Sequence, residues 1–202
     1  MLLINQFKSQ ILIFEVYKKF SAGYEDLYLW TRASASKSRF TIDVLKAKEL
    51  ARKDGIFYHI EHQDRKLCFF LFEKMLYLVG SENDVQFQLL EAIIEETSQE
   101  FFAFYKNKLE HYEGGFISDY KDFDNRFLYI IGDLKHIVTV VIAPCAVCGK
   151  SIGIIAKNSL INRFPEQRIP VPLVFTHQGH SLLIYLDKQF NVRGSEIVDI
   201  SS

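Results

Sequence analysis

Apolar and polar positions divide the chain into short blocks. Residues 11 to 18, ILIFEVYK, concentrate β-branched and aromatic side chains and predict a first strand. A turn begins at Gly23 and Tyr24, and residues 26 to 32, DLYLWTR, alternate as a second strand. The small, polar and basic tract 33 to 40, ASASKSRF, reads as a loop. Thr41 then serves as an N-cap for a helix through Ile42, Val44, Leu45 and Leu50, which Asp54 and Gly55 stop. Three further strands follow at 55 to 62, 67 to 72 and 75 to 80, with a polar turn at Gln63–Lys66 and a tight break at Glu73–Lys74.

Ser81 or Asn83 can cap a long helix from about residue 84 to 111. Its apolar positions Leu89, Leu90, Ile93, Ile94, Phe101, Phe104, Tyr105 and Leu109 recur at helical spacing. Glu113-Gly114-Gly115 ends it, and a shorter helix is expected over 118 to 134. The character then changes. Residues 136 to 144 predict a strand, 145 to 149 a Cys-containing knuckle, 151 to 169 a mixed stretch, and 171 to 177, 181 to 187 and 192 to 200 further strands. The expected division is therefore 1–134, an α+β domain, and 135–202, a β-rich segment.

This order resembles the longin domain of the SNARE-like, roadblock/longin group. The closest local match is LCFFLFEKMLYLVGSENDVQFQLLEAIIEE: an aromatic strand, a short turn, a second strand, a polar cap and a Leu/Ile-rich helix. The resemblance covers about two thirds of the chain; the loop at 33 to 40 and the C-terminal third depart from it. It implies a longin-like (profilin-like) five-stranded antiparallel sheet flanked by helices. It also implies a non-enzymatic interaction module, with a small GTPase or a longin/roadblock-type subunit as partner, and it leaves a homodimer open. The alternative is a generic α+β domain whose sheet is covered by helices. The C-terminal third is similar to β-rich segments appended to archaeal proteins, in which a CxxCG knuckle precedes a His and an aliphatic strand ending in Asp. The matching residues are Cys145, Cys148, Gly149, His180, Asp187 and Val192-Arg193-Gly194.

Among the chemistry-bearing residues, Cys145-x-x-Cys148 with His177-x-x-His180 stands first. Two thiolates from one turn and two imidazoles make a tetrahedral zinc shell with no open position, hence one structural zinc and a zinc-ribbon type of segment. The competing readings are a thiol- or metal-dependent enzyme using the Cys pair, a zinc-ribbon nucleic-acid binder, and two cysteines and two surface histidines with no common task. Gly149-Lys150-Ser151 is not a phosphate loop, because Pro144 stands where that motif needs glycine. His59 and Glu61 share one face of a strand and His62 the other, which reads as a solvated strand face. Cys68 sits in an apolar run as a buried thiol, while Trp30 and the Phe-rich strands read as core. His111 and His136 read as cap and strand-edge residues. Lys37, Arg39, Lys46, Lys48, Arg52 and Lys53 form a basic segment suited to an acidic protein surface or anionic headgroups.

Composition narrows these readings. The chain has 202 residues, with 24 Lys plus Arg against 25 Asp plus Glu, so its formal net charge is −1. That balance argues against a protein driven by bulk charge and against nucleic-acid binding. Eighteen Phe and ten Tyr point to a heavily packed core. Met1–Gln10 lacks the pattern of a signal peptide and no apolar run is long enough to span a bilayer. Three cysteines do not make a secreted disulfide framework. The expected setting is cytoplasmic, peripheral to a membrane only through a partner.

Overall fold

The computed structural model describes residues 6–112, 117–164, 170–177 and 179–198. The chain partitions into two compact units, Met1–Leu134 and Lys135–Ser202.

The first unit is α+β. Five antiparallel strands, β1 (Ile11–Phe20), β2 (Gly23–Thr31), β3 (Phe57–Glu61), β4 (Arg65–Phe72) and β5 (Met75–Glu82), form one sheet in the order β2-β1-β5-β4-β3. Helix α1 (Thr41–Leu50) joins β2 to β3, while α2 (Phe87–Glu110) and α3 (Phe123–Gly132) follow β5. Strand alternation sends Ile13, Tyr17, Leu67, Phe69, Leu71, Leu76 and Leu78 to one face, where they pack with Val44, Ala47 and Ala51 from α1 and its C-terminal cap. The other face carries Phe14, Tyr28, Trp30 and Tyr77. Phe14 stacks on Phe127 of α3 at 4.7 Å between ring centroids, and Tyr28 and Tyr77 meet Phe101 of α2. The high aromatic count is thus spent between the sheet and α2–α3. Cys68 is fully buried on this face.

The helix starts differ from the sequence expectation. Thr41 is not an N-cap: a 3-10 turn, Lys37–Phe40, feeds directly into α1, so Thr41 is already helical at φ −53° and ψ −46°. The turn is held by Phe40, fully buried in a tract that reads as polar loop. Its ring lies over Gly80, where an added Cβ would come within 2.6 Å of it. Ser81 and Asn83 do not cap α2 either. Ser81 pairs with Ile11 on one side and Lys66 on the other, because β5 is the central strand and continues to Glu82. Helix α2 begins at Phe87 behind Gln86, and no acid stands in its first turn. Phe104, expected inside, is exposed and carries the guanidinium of Arg126 4.3 Å from its ring centroid. The expected second helix is a 3-10 turn, Ile117–Tyr120, followed by α3. The terminator Glu113-Gly114-Gly115 lies outside the described residues.

The second unit is β-rich. Strands β6 (Val138–Pro144) and β7 (Ser151–Lys157) pair antiparallel, a short helix α4 (Asn158–Arg163) follows, and β8 (Val171–His177), β9 (His180–Leu186) and β10 (Val192–Val198) form a three-stranded antiparallel sheet in the order β10-β9-β8. The mixed stretch 151 to 169 therefore contains a strand and a helix. Both sheets contribute to one core, including Val141, Ile152, Ile154, Val171, Leu182 and Ile184. The β9–β10 turn is drawn in by Asp187, whose carboxylate accepts from the Gln189 and Asn191 amides and from Arg193. Among the described residues no helix is long and apolar enough to cross a membrane.

Candidate functional site

Helix α1 presents two unlike sides. Asp43, Val44 and Ala47 face inward. Ile42, Leu45 and Leu50 face outward with 65%, 58% and 49% of their surface exposed, and Ile56 follows at 43%. Lys46, Glu49, Arg52 and Lys53 lie exposed among them. The helix thus keeps an apolar stripe in water with a basic C-terminal margin, a combination that marks interaction surfaces more than it serves stability.

The basic segment read from the sequence does not act as one unit. Lys37 Nζ stands 3.8 Å from both Glu15 and Asp26, and Lys48 Nζ stands 3.7 Å from Asp26 and 3.7 Å from the centre of the Tyr17 ring. Arg39 reaches Glu82 at 2.9 Å and Asp64 at 3.2 Å. Three of the six cations are thereby bound into the sheet side, leaving Lys46, Arg52 and Lys53 on the outer margin.

Two buried carboxylates lie beneath α1. Asp43 is 1% exposed and accepts from His62 Nε2 and Arg65 Nε, each at 2.8 Å. Burial alone would raise its pKa, but these two donors outweigh burial and hold it below the usual carboxylate value. A carboxylate orienting an imidazole resembles part of a catalytic triad. Here Arg65 shares the carboxylate, so the group works as an ion-pair clamp between the first turn of α1 and the β3–β4 turn. Glu15 projects from β1 into the same layer and accepts from the Tyr17 hydroxyl. Burial, the largest influence, raises its pKa, and Asp26 adds to it, against the lowering effects of Tyr17, Lys37 and Lys48. Its Oε1 has no hydrogen-bond partner among the described residues.

His59 and Glu61 are exposed on β3, as a solvated strand face requires, and His62 is half-buried just beyond it, but both histidines are also partnered. His59 pairs with Glu91 of α2 at 3.0 Å and stacks on Phe87, while His62 turns to Asp43 of α1. Alternation sends each to a different helix, and each finds an acid there. His111 is the C-cap of α2, with its Nδ1 2.9 Å from the Asn107 carbonyl, and His136 lies in a 3-10 turn just before β6.

Cys145 and Cys148 occupy the tip between β6 and β7. Past the last strand pair, Pro144 with Ser151, the Cys145 amide donates to the Lys150 carbonyl at 2.9 Å and the Gly149 amide to the Cys145 carbonyl at 2.8 Å. Gly149 sits at φ +70°, which closes the knuckle. Cys145 is buried, Cys148 half-buried, and neither is in a disulfide. The pair lies in the turn between two strands and not at a helix N-terminus. His177 and His180 face each other as the last pair of the β8–β9 hairpin. Their side chains lie outside the described residues, as does Gln178. Among the described residues no group of three or more His, Cys, Asp or Glu is placed to hold a metal.

Sequence reading missed the Asp43 clamp because its members are spread from α1 to β4. Glu15 carried a signal: it is the one acid inside an otherwise apolar strand. Compared with protein-family models and with curated proteins, the chain matches none.

Proposed function

We propose that the first unit is a non-enzymatic interaction module of longin type, with a longin-like (profilin-like) sheet, and that it docks a protein partner on the outer side of α1. The observation that carries this reading is the stripe of Ile42, Leu45 and Leu50 on α1, with Ile56 just beyond the helix, large apolar side chains left in water. The basic margin of Lys46, Arg52 and Lys53 favours an acidic rim on the partner. The run strand, strand, helix, three strands, long helix, short helix agrees with the longin resemblance and supports a small GTPase or a longin/roadblock-type subunit as that partner. In this reading the second unit is an appended zinc-ribbon-type segment. The protein works in the cytoplasm, within a GTPase-linked or trafficking-like complex, and meets a membrane only through its partner.

The test is a binding titration of the full chain against purified small GTPases in both nucleotide states and against itself. Micromolar binding that is lost in Ile42→Asp/Leu45→Asp, with an unchanged unfolding midpoint, supports the reading. Binding that survives this double substitution, or none with any GTPase or with a second copy, overturns it.

A further inference from the structure

Helix α1 keeps its large apolar side chains outside and its small ones inside. Val44, Ala47 and, just past the helix end, Ala51 are buried, whereas Ile42, Leu45 and Leu50 are exposed. Helix α2, by contrast, buries Leu89, Leu90, Ile93, Ile94 and Phe101. Hydrophobic hold scales with the apolar area covered, so α1 draws little of its seating from its own inner face. Charge supplies the rest, and the two flanks of the helix differ in how they use it.

On the flank towards the β3–β4 turn the contacts are closed hydrogen bonds. Asp43 meets His62 and Arg65 at 2.8 Å each. Arg39, in the 3-10 turn before α1, reaches Asp64 at 3.2 Å and Glu82 at 2.9 and 3.1 Å. Phe40, fully buried against Gly80, seats the start of the helix. On the flank towards β1 and β2 the contacts are longer. Lys48 Nζ stands 3.7 Å from Asp26, and Lys37 Nζ stands 3.8 Å from Asp26 and from Glu15. The Ala51 carbonyl, at the helix end, accepts from Tyr24 at 3.4 Å and from Lys19 at 3.5 Å. Lys37 and Asp26 are half-exposed, so water and salt reach these pairs. Beneath them Glu15 is buried, and its Oε1 has no hydrogen-bond partner among the described residues. The closed position therefore leaves one acceptor unmet, which costs free energy that water would return.

We propose that α1 is a hinged strap. Arg39, Phe40 and Asp43 form the hinge, and the contacts of Lys37 and Lys48 with Asp26 and Glu15 form the latch. Release of the latch lifts the C-terminal half of α1 from β1 and β2 and admits water to Glu15. Moving elements come from the parts of a fold with few buried apolar contacts, and α1 is such a part. The trigger is ionic: an anion that takes Lys37 and Lys48 from Asp26 opens the strap, and mobile salt does the same by screening. Ile42 and Leu45 ride on the strap, so its position sets how the outer stripe is presented. The opening itself is independent of what docks on that stripe.

The experiment is hydrogen exchange of the full chain at neutral pH, followed by mass spectrometry across a sodium chloride series. At about 1 M salt the screening length is about 3 Å, shorter than the latch pairs, against more than 10 Å at about 0.05 M. Exchange of the α1 amides at 45–51 should rise roughly fivefold over that range, the loss expected for partly exposed ion pairs. Amides of α2 and β5 should hold their rates and serve as the internal reference. Asp26→Asn, at a half-exposed position, should show the high-salt rate already in low salt and lose the salt dependence. Where that variant does not fold, the salt series on the unaltered chain decides. Exchange of α1 that is indifferent to salt overturns the proposal. So does a salt effect shared equally by β5, which would be global unfolding, or a salt dependence that persists in Asp26→Asn.

Discussion

His62 Nε2 lies 2.8 Å from Asp43 Oδ1, joining residues 19 positions apart across the seam between α1 and the β3–β4 turn. With Arg65 on the other carboxylate oxygen, this pair fixes how the first turn of α1 sits on the sheet. Asp43→Ala should therefore destabilise the first unit by about 2 kcal/mol, the loss of charge-assisted hydrogen bonds to a buried carboxylate. Because the folded pKa of Asp43 lies below its ordinary value, its contribution is present above the unfolded carboxylate range near pH 4. It is lost as pH falls through the lower, folded value. Asp43→Asn should flatten the acid side of the stability curve, measured by urea unfolding between neutral and acid pH. An unchanged acid limb in that variant would refute the clamp.

Glu15 should behave in the opposite sense. Its pKa is raised, chiefly by burial, so keeping it ionised costs stability, and the cost sets in as pH rises through the unfolded value of about 4.3. Glu15→Gln keeps an acceptor for Tyr17 and gives up a 3.8 Å pairing with the half-exposed Lys37 and the weaker attraction of Lys48. The variant should gain on the order of 1 kcal/mol at neutral pH and match the parent in acid. Melting temperature across pH reads this directly; a loss at neutral pH would show that Lys37 outweighs desolvation.

At Gly80 the sheet and the 3-10 turn before α1 approach closely. A methyl group there would lie 2.6 Å from Phe40 and 2.8 Å from Ile13, and Phe40 is fully buried. Gly80→Ala should cost about 1 to 3 kcal/mol by overpacking. Phe40→Leu should restore part of that loss, so the double variant should be more stable than the sum of the two singles. Additive losses in equilibrium unfolding would show that ring and glycine do not share the strain.

The β4–β5 hairpin turns on Glu73 and Lys74, both at positive φ of 51° and 61°. Successive left-handed residues are the geometry for which Asn-Gly is the preferred pair. Glu73→Asn/Lys74→Gly should stabilise the unit by roughly 1 kcal/mol, since each L-residue with a longer side chain is strained there. A decrease in melting temperature would contradict this.

Legibility in the sequence followed the physics of each signal. Short β-branched and aromatic runs, with alternation clear at 26 to 32, made all five strands of the first unit visible, and the break at Glu73–Lys74 needed only a short polar pair between two apolar runs. The helix starts were misread because Thr41, Ser81 and Asn83 are good caps in isolation. Tertiary demand overrode them: Phe40 pulls a 3-10 turn onto Gly80, and the central strand must extend through Ser81 to pair on both sides. Strand β7 was blurred by Gly153 and by the short helix behind it. The knuckle was found by spacing alone, whereas the apolar stripe of α1 was not. A strip of Ile and Leu at helical spacing reads as core until the opposite side of the helix is seen to hold Val44 and Ala47.

Two fixed points bracket the small, polar tract between β2 and α1. Arg32, bonded to the Ile11 carbonyl at 2.7 Å, anchors one side, and Phe40 anchors the other. Ala33 and Ser34 between them are exposed. Residues 35 to 40 are tied down by the Ala35 amide on the Arg32 carbonyl and by the ion pairs of Lys37 and Arg39, so only the exposed Ala33–Ser34 step is free to lengthen, at the loss of that one turn hydrogen bond and an entropic cost of about 0.6 kcal/mol per doubling. Descendants of this chain should accumulate their insertions there. A fluorophore or epitope grafted between Ala33 and Ser34 would report on the molecule without touching its core.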